Sequence, residues 1–190
     1  AQLALEFERL GRLDHPALPR VRDLGVLAHA LGPLPAGAVY FTGDEIEGVP
    51  LDRAIAAAPA SERTRLLWIA AADVASALAV LHGAGLCHCD VTPANVLIAG
   101  RGADARAVLI DLGLSAARGA TGLARGTLPF MAPEAVLGTT DPRADLWGLG
   151  ATWFAAVRGH GPFAGDDRAA LVRAILRDPV PALDEREAPG

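Results

Sequence analysis

Lysine is missing from this sequence: all 17 basic residues among its 190 are arginine, so no position offers an ammonium group. Cysteine is scarce, with only Cys87 and Cys89, separated by His88. On an extended segment their side chains share a face but stand too far apart to bridge without bending the backbone. A disulfide scaffold is excluded, and two thiols in a reducing, cytoplasmic setting are expected. Structural-zinc spacing is lacking as well, because His82, Cys87, His88 and Cys89 have no second ligand pair elsewhere. No apolar run approaches the ~20 residues of a membrane span before Arg, Asp or Glu interrupts it, so no membrane segment is expected. No charged-then-apolar leader precedes Ala1, and no signal peptide is expected. Net charge is −5, which argues against a broad nucleic-acid-binding face. Internal repeats and coiled-coil heptads are absent too.

What is present is a chain 52% hydrophobic, enough for the core of one domain. Leu3, Leu5, Phe7, Leu10 and Leu13 recur at helical spacing until His15-Pro16 stops them. Residues 19–26 and 38–42 read as strands around a Gly/Pro turn, and 43–48 as a polar connector. A wide apolar stripe of Leu66, Leu67, Ile69, Val74, Leu78 and Leu81 predicts a helix over 62–83. Ser61 is its expected N-cap, and Gly83 or Gly85 its terminator. Strands are expected at 95–99 and 107–110, followed by a Gly-rich loop to Pro133. Residues 141–157 read as a buried helix, with Leu146, Trp147, Leu149, Trp153 and Phe154 around it, and 167–176 as an amphipathic one. Trp68, Trp147 and Trp153 are expected in the core. The order is α+β, with helices dominating the second half.

The chemistry concentrates in His88-Cys89-Asp90-Val91-Thr92-Pro93-Ala94-Asn95 and, one hairpin later, Asp111-Leu112-Gly113. Phosphoryl transfer needs a carboxylate near the attacking hydroxyl and oxygen ligands that hold Mg²⁺ against nucleotide phosphates. A hairpin brings Asn95 and Asp111 close and leaves Asp90 on the loop before it.

These blocks resemble the protein kinase family, specifically bacterial serine/threonine kinases of eukaryotic type. His88-Cys89-Asp90 with Asn95 is similar to H-R-D-x-x-x-x-N, and Asp111-Leu112-Gly113 to D-F-G. Residues 126–134, ending Ala132-Pro133-Glu134, resemble the A-P-E segment. Asp145-Leu146-Trp147-Gly148-Leu149-Gly150 resembles the helix whose aspartate braces the catalytic loop. Residues 40–48 resemble the hinge between lobes, and Gly161-Pro162-Phe163 the lead-in to a later helix.

The resemblance implies a kinase-like fold: a partial N-lobe and hinge at 1–46, and a mostly helical C-lobe at 47–190 that is incomplete at its C-terminal end. It implies ATP and Mg²⁺ as cofactors and a protein with a Ser/Thr acceptor as substrate. Asp90 would orient the substrate hydroxyl, with Thr127 beside it. Asn95 and Asp111 would ligate Mg²⁺. Asp44 and Ile46 would offer backbone groups to adenine, Glu6 would be the helix glutamate of the nucleotide site, and Gly43 would leave the pocket open.

Departures from the pattern carry expectations of their own. Cys89 stands where the family has Arg, so activity independent of phosphate on Ser115 or Thr121 is expected. Thr92 replaces a Lys that meets the γ-phosphate, which weakens that contact. Leu112 for Phe is apolar for apolar. No Gly-rich loop or partner Lys for Glu6 occurs, nor a late Arg for Glu134, so the chain alone is expected to bind ATP poorly. A pseudokinase scaffold and an aminoglycoside-type phosphotransferase are the alternatives; all three polar residues favour an enzyme, and the A-P-E-like block favours a peptide substrate.

Overall fold

The computed structural model describes residues 2–112, 116–117, 119 and 126–183. Helix α1 (Gln2–Leu10) leads into a hairpin of β1 (Val21–Val26) and β2 (Val39–Gly43), antiparallel with Leu24 opposite Phe41 and Val26 opposite Val39. The connector then reaches β3 (Val49–Pro50) and a short helix α2 (Leu51–Ala57). Helix α3 (Ala60–Gly83) follows, then β4 (Leu86–Cys87), β5 (Val96–Ala99), β6 (Arg106–Leu109) and β7 (Ala116–Ala117). Helices α4 (Pro133–Val136), α5 (Pro142–Arg158) and α6 (Arg168–Arg177) complete the described chain. β3, β5 and β6 form one antiparallel sheet in that order, and β4 pairs with β7.

Helix α3 organises the interior. Its stripe of Leu67, Ala70, Val74, Ala77, Leu78 and Leu81 repeats at three- and four-residue steps and is fully buried. Leu86, Val96, Leu109 and Leu112 pack against it, and Leu10, Ala17 and Leu18 join from the N-terminal segment. Each such Leu withdraws enough apolar surface to contribute about 1.5–3 kcal/mol. Among the described residues, α3 alone is long and apolar enough to cross a membrane; its fully buried stripe instead makes it the core helix of this fold. A smaller cluster centres on Phe163, Ala174 and Ile175, with Leu128 and Trp147 against it.

Polar groups lock the sheet to its surroundings. The amides of Ala107 and Leu109 leave the outer edge of β6, one to Asp73 Oδ2 on α3 (2.7 Å) and one to the Ala17 carbonyl (2.9 Å). His15 Nδ1 accepts from the Ala17 amide, so its Nε2 carries the proton and donates to Ser76 Oγ at 3.0 Å. α5 starts at Asp141, whose carboxylate takes the Arg143 amide, with Pro142 at the first helical position, and ends at left-handed Gly159. α6 starts the same way, Asp167 accepting from Ala170.

Several expectations need correction. α3 begins after Pro59, which offers no side-chain cap, so Ser61 lies inside the helix rather than capping it. At the other end Gly85, with φ of 73°, takes the left-handed position. Trp68 is 55% exposed, its ring edge-on to Trp153 at 5.3 Å, because it sits beside the α3 stripe rather than on it. Leu146 is exposed as well. α2 and α4 were not anticipated.

Candidate active site

The β5–β6 hairpin sets one half of the site. Val96 lies opposite Leu109, and the Ile110 amide donates to the Asn95 carbonyl at 2.8 Å. Asp111 is therefore one residue beyond the partner of Asn95, as the hairpin argument required. Asp111 is exposed and adopts φ of 64°, a conformation that Asp tolerates better than most residues.

The loop 88–95 sets the other half, and its shape comes from buried groups. Asp145 on α5 is 2% exposed and accepts three hydrogen bonds of 2.8 Å: Cys89 N–H on Oδ1, and His88 N–H and His82 Nε2 on Oδ2. A carboxylate so deep needs such donors. Pointing two successive amides at one carboxylate bends the chain, and Cys89 takes φ of 70°. The extended reading of 87–89 is thereby corrected, although the two thiols are unbridged as expected. Left-handed non-glycine residues such as Cys89 cost of order 1–3 kcal/mol, held here by the Asp145 bonds.

His88 is wholly buried, and burial pushes its imidazole pKa below the ordinary value, with Asp145 opposing. Its Nε2 donates to the Ile110 carbonyl (3.0 Å), while Nδ1 accepts from the Asp90 amide (3.3 Å). Only the neutral ring satisfies both contacts.

Asp90 is fixed at both oxygens. Thr127 N–H donates to Oδ1 at 2.7 Å, and Asn95 Nδ2 donates to Oδ2 at 2.9 Å and to the Asp90 carbonyl at 3.0 Å. Two acceptors around one amide atom identify it as the nitrogen, so Asn95 Oδ1 is turned away from Asp90. Thr127 can approach because its predecessor is Gly126, with φ of 110°; a Cβ there would lie 2.3 Å from the Cys89 carbonyl oxygen.

A cleft of about 310 Å³ lies between the β1–β2 hairpin, the connector and the end of β6. Phe41, Gly43, Asp44 and Ile46 line one side, Ile110 and Asp111 the other. That volume is within the range of small-ligand pockets. Asp44 gives its amide to the Arg20 carbonyl and its carboxylate to Arg22, at 2.7 Å. A Cβ on Gly43 would stand 3.0 Å from the Arg20 carbonyl oxygen, so a larger residue there would push the segment before β1 back slightly.

The structure thus joins Asp90, Asn95 and Thr127 directly and puts Asp44, Ile46 and Asp111 around one cleft. Thr92 does not reach a surface: it is 3% exposed, so the hydroxyl expected to meet a phosphate is covered. The Glu6 side chain, Gly113, Ser115 and Thr121 lie outside the described residues. Sequence reasoning missed His82 as the third donor to Asp145, and it missed Thr152 and Gly148, which also face the loop from α5. Their spacing from Asp145, three and seven residues, was the available signal.

An acid held by a backbone amide and a side-chain amide, beside a cleft bearing a second acid, is the arrangement of a protein kinase domain. Residues 2–187 match the protein kinase domain family, and the chain belongs to that family. It is similar to serine/threonine-protein kinase PknB of Mycolicibacterium smegmatis, 33% identical over 93% of this chain and 28% of the relative. Serine/threonine-protein kinase PknJ of Mycobacterium tuberculosis is 32% identical over 98% of this chain and 31% of the relative. The DNA damage-responsive serine/threonine-protein kinase RqkA of Deinococcus radiodurans is 34% identical over 93% and 26%. The chain spans less than a third of the length of these relatives. Family membership implies ATP as substrate together with a divalent metal.

Proposed function

We propose that this chain carries the phosphotransfer centre of a protein serine/threonine kinase, moving the γ-phosphoryl group of ATP to a Ser or Thr hydroxyl. The observation that carries the reading is the Asp90 carboxylate, oriented by Thr127 N–H and Asn95 Nδ2. Each carboxylate oxygen keeps a lone pair beyond those bonds, so Asp90 can accept the hydroxyl hydrogen of the substrate and align its oxygen for attack. Thr127 lies where the acceptor residue would be admitted. The residues fit Mg²⁺: Asn95 Oδ1 is turned away from Asp90, and Asp111 is an exposed carboxylate, both hard oxygen donors. When bound, the ion neutralises phosphate charge during transfer. Adenine would meet the Asp44 carbonyl and the Ile46 backbone, since the Asp44 amide is already used.

On this reading residues 1–46 form the N-lobe side and hinge, and 47–190 the C-lobe. The covered Thr92 and the lack of lysine leave the γ-phosphate without a cation from the loop 88–95. A slow enzyme follows, not an inert one, because the acid and both metal ligands are present. The test is transfer of labelled phosphate from ATP by the full-length protein to a mixed protein substrate, with phosphoamino-acid analysis. Phosphoserine or phosphothreonine that depends on Mg²⁺ is expected. Mg²⁺-ATP binding with no transfer would favour a pseudokinase, and label on an aminoglycoside instead would favour the small-molecule reading.

A further inference from the structure

The carbonyl of Val91, one residue past Asp90, is turned into the protein, where Thr152 Oγ1 on α5 donates to it at 3.0 Å. Thr152 is 1% exposed, so no water replaces that bond. Asp145 stands seven residues earlier, two helical turns away on the same face, and holds the amides of His88 and Cys89. Gly148 lies between them. A Cβ there would come 3.1 Å from Val91 Cβ and 3.2 Å from the Val91 carbonyl oxygen, so its bare backbone lets the loop settle on the helix.

One stripe of α5 therefore grips the main chain on both sides of Asp90. Fixing the amides of His88 and Cys89 alone would leave the chain free to rotate about the Asp90 dihedrals. Asn95 Nδ2 holds the Asp90 carbonyl, and Thr152 fixes the Val91–Thr92 peptide beyond it, so α5 anchors the chain on the far side of Asp90 as well. We propose that Thr152 is a positioning residue for phosphoryl transfer, its hydroxyl fixing the Val91–Thr92 peptide just beyond Asp90 and with it the direction of the Asp90 carboxylate. The proposal rests on the kinase reading above and adds to it a residue that touches neither substrate nor metal.

The test compares Thr152→Val, which keeps the shape and loses the donor, with Thr152→Ser, which keeps the donor, both in the full-length protein. Thr152→Val is expected to lower kcat about tenfold, with KM for ATP and peptide unchanged. Thr152→Ser is expected to return kcat to within about threefold of the parent. Hydrogen exchange of the 88–96 peptide, read on the same samples, is expected to quicken about tenfold in the Val variant and stay near the parent in the Ser variant. Equal kcat per folded molecule in parent and Val variant would overturn the proposal. So would a Ser variant as impaired as the Val one. Should the parent transfer no phosphate at all, the kinase reading fails by itself. Loop exchange then decides the positioning claim, and identical rates in parent and Val variant would refute it.

Discussion

The two sides of the cleft are built in opposite ways. On the loop side, His88, Thr92, Asp145 and Thr152 are buried, and most polar contacts from the loop 88–95 to other segments run to α5 or to the hairpin behind it. On the hairpin side, every residue of β2 is exposed, and Val26 reaches 62%. On the proposed reading, the groups that would aim at a reacting hydroxyl are held by the core, whereas Asp44 and Ile46, which would meet a flat nucleotide base, follow directly on an exposed two-stranded ribbon. Preorganised dipoles lose their value when they can reorient, so rigidity belongs on the loop side. Substitutions that damage the loop side should therefore cost stability or kcat, and those on the hairpin side should alter nucleotide affinity and little else.

The largest break comes from Asp145→Ala, which strands two buried amides and His82. A loss of about 3–5 kcal/mol in unfolding free energy is expected, read by denaturant titration. Gly126→Ala comes next. Its Cβ cannot coexist with the Cys89 carbonyl, so the Thr127–Asp90 bond opens. A fall in kcat of about 100-fold, with a lowered melting temperature because alanine is strained at that φ, is expected. Phe41→Ala, on the hairpin side, should raise KM for ATP about threefold and leave kcat and stability alone, since exposed positions contribute little to folding.

The smallest effect is that of His88. Its pKa is lowered in the folded state, so the unfolded chain binds the proton more readily. Stability from this group is complete above the unfolded value of about 6.5 and is lost as pH falls from there through the folded value. Melting temperatures measured downward from pH 7.5 should decline across that window, and less so in His88→Gln.

The sequence made the local part of this architecture legible. Two apolar runs separated by Gly100-Arg101-Gly102 could only be a hairpin, and that hairpin aligned Asn95 with Ile110 as observed. α3 was readable from its stripe. α2 was not, because its only large apolar residues are Leu51 and Ile55, too few to display a period. The bend at Cys89 was hidden because no glycine marks it: the cause is Asp145, distant in sequence. Thr152 was harder to read for the same reason: its seven-residue spacing puts it on the face of Asp145, but nothing in the sequence shows the carbonyl it serves. Motif residues gave Asp90, Asn95 and Asp111; what aims them is encoded in pairs that only folding brings together.

On the proposed reading, Asp90 is the group that orients the attacking hydroxyl. The most direct test is Asp90→Asn in the full-length protein, with phosphate transfer and nucleotide affinity measured together. The carboxamide keeps an oxygen for one of the two amides, so the loop should stay folded. A drop in kcat of about 10³-fold at unchanged ATP affinity is predicted. Transfer retained within tenfold of the parent would contradict the account.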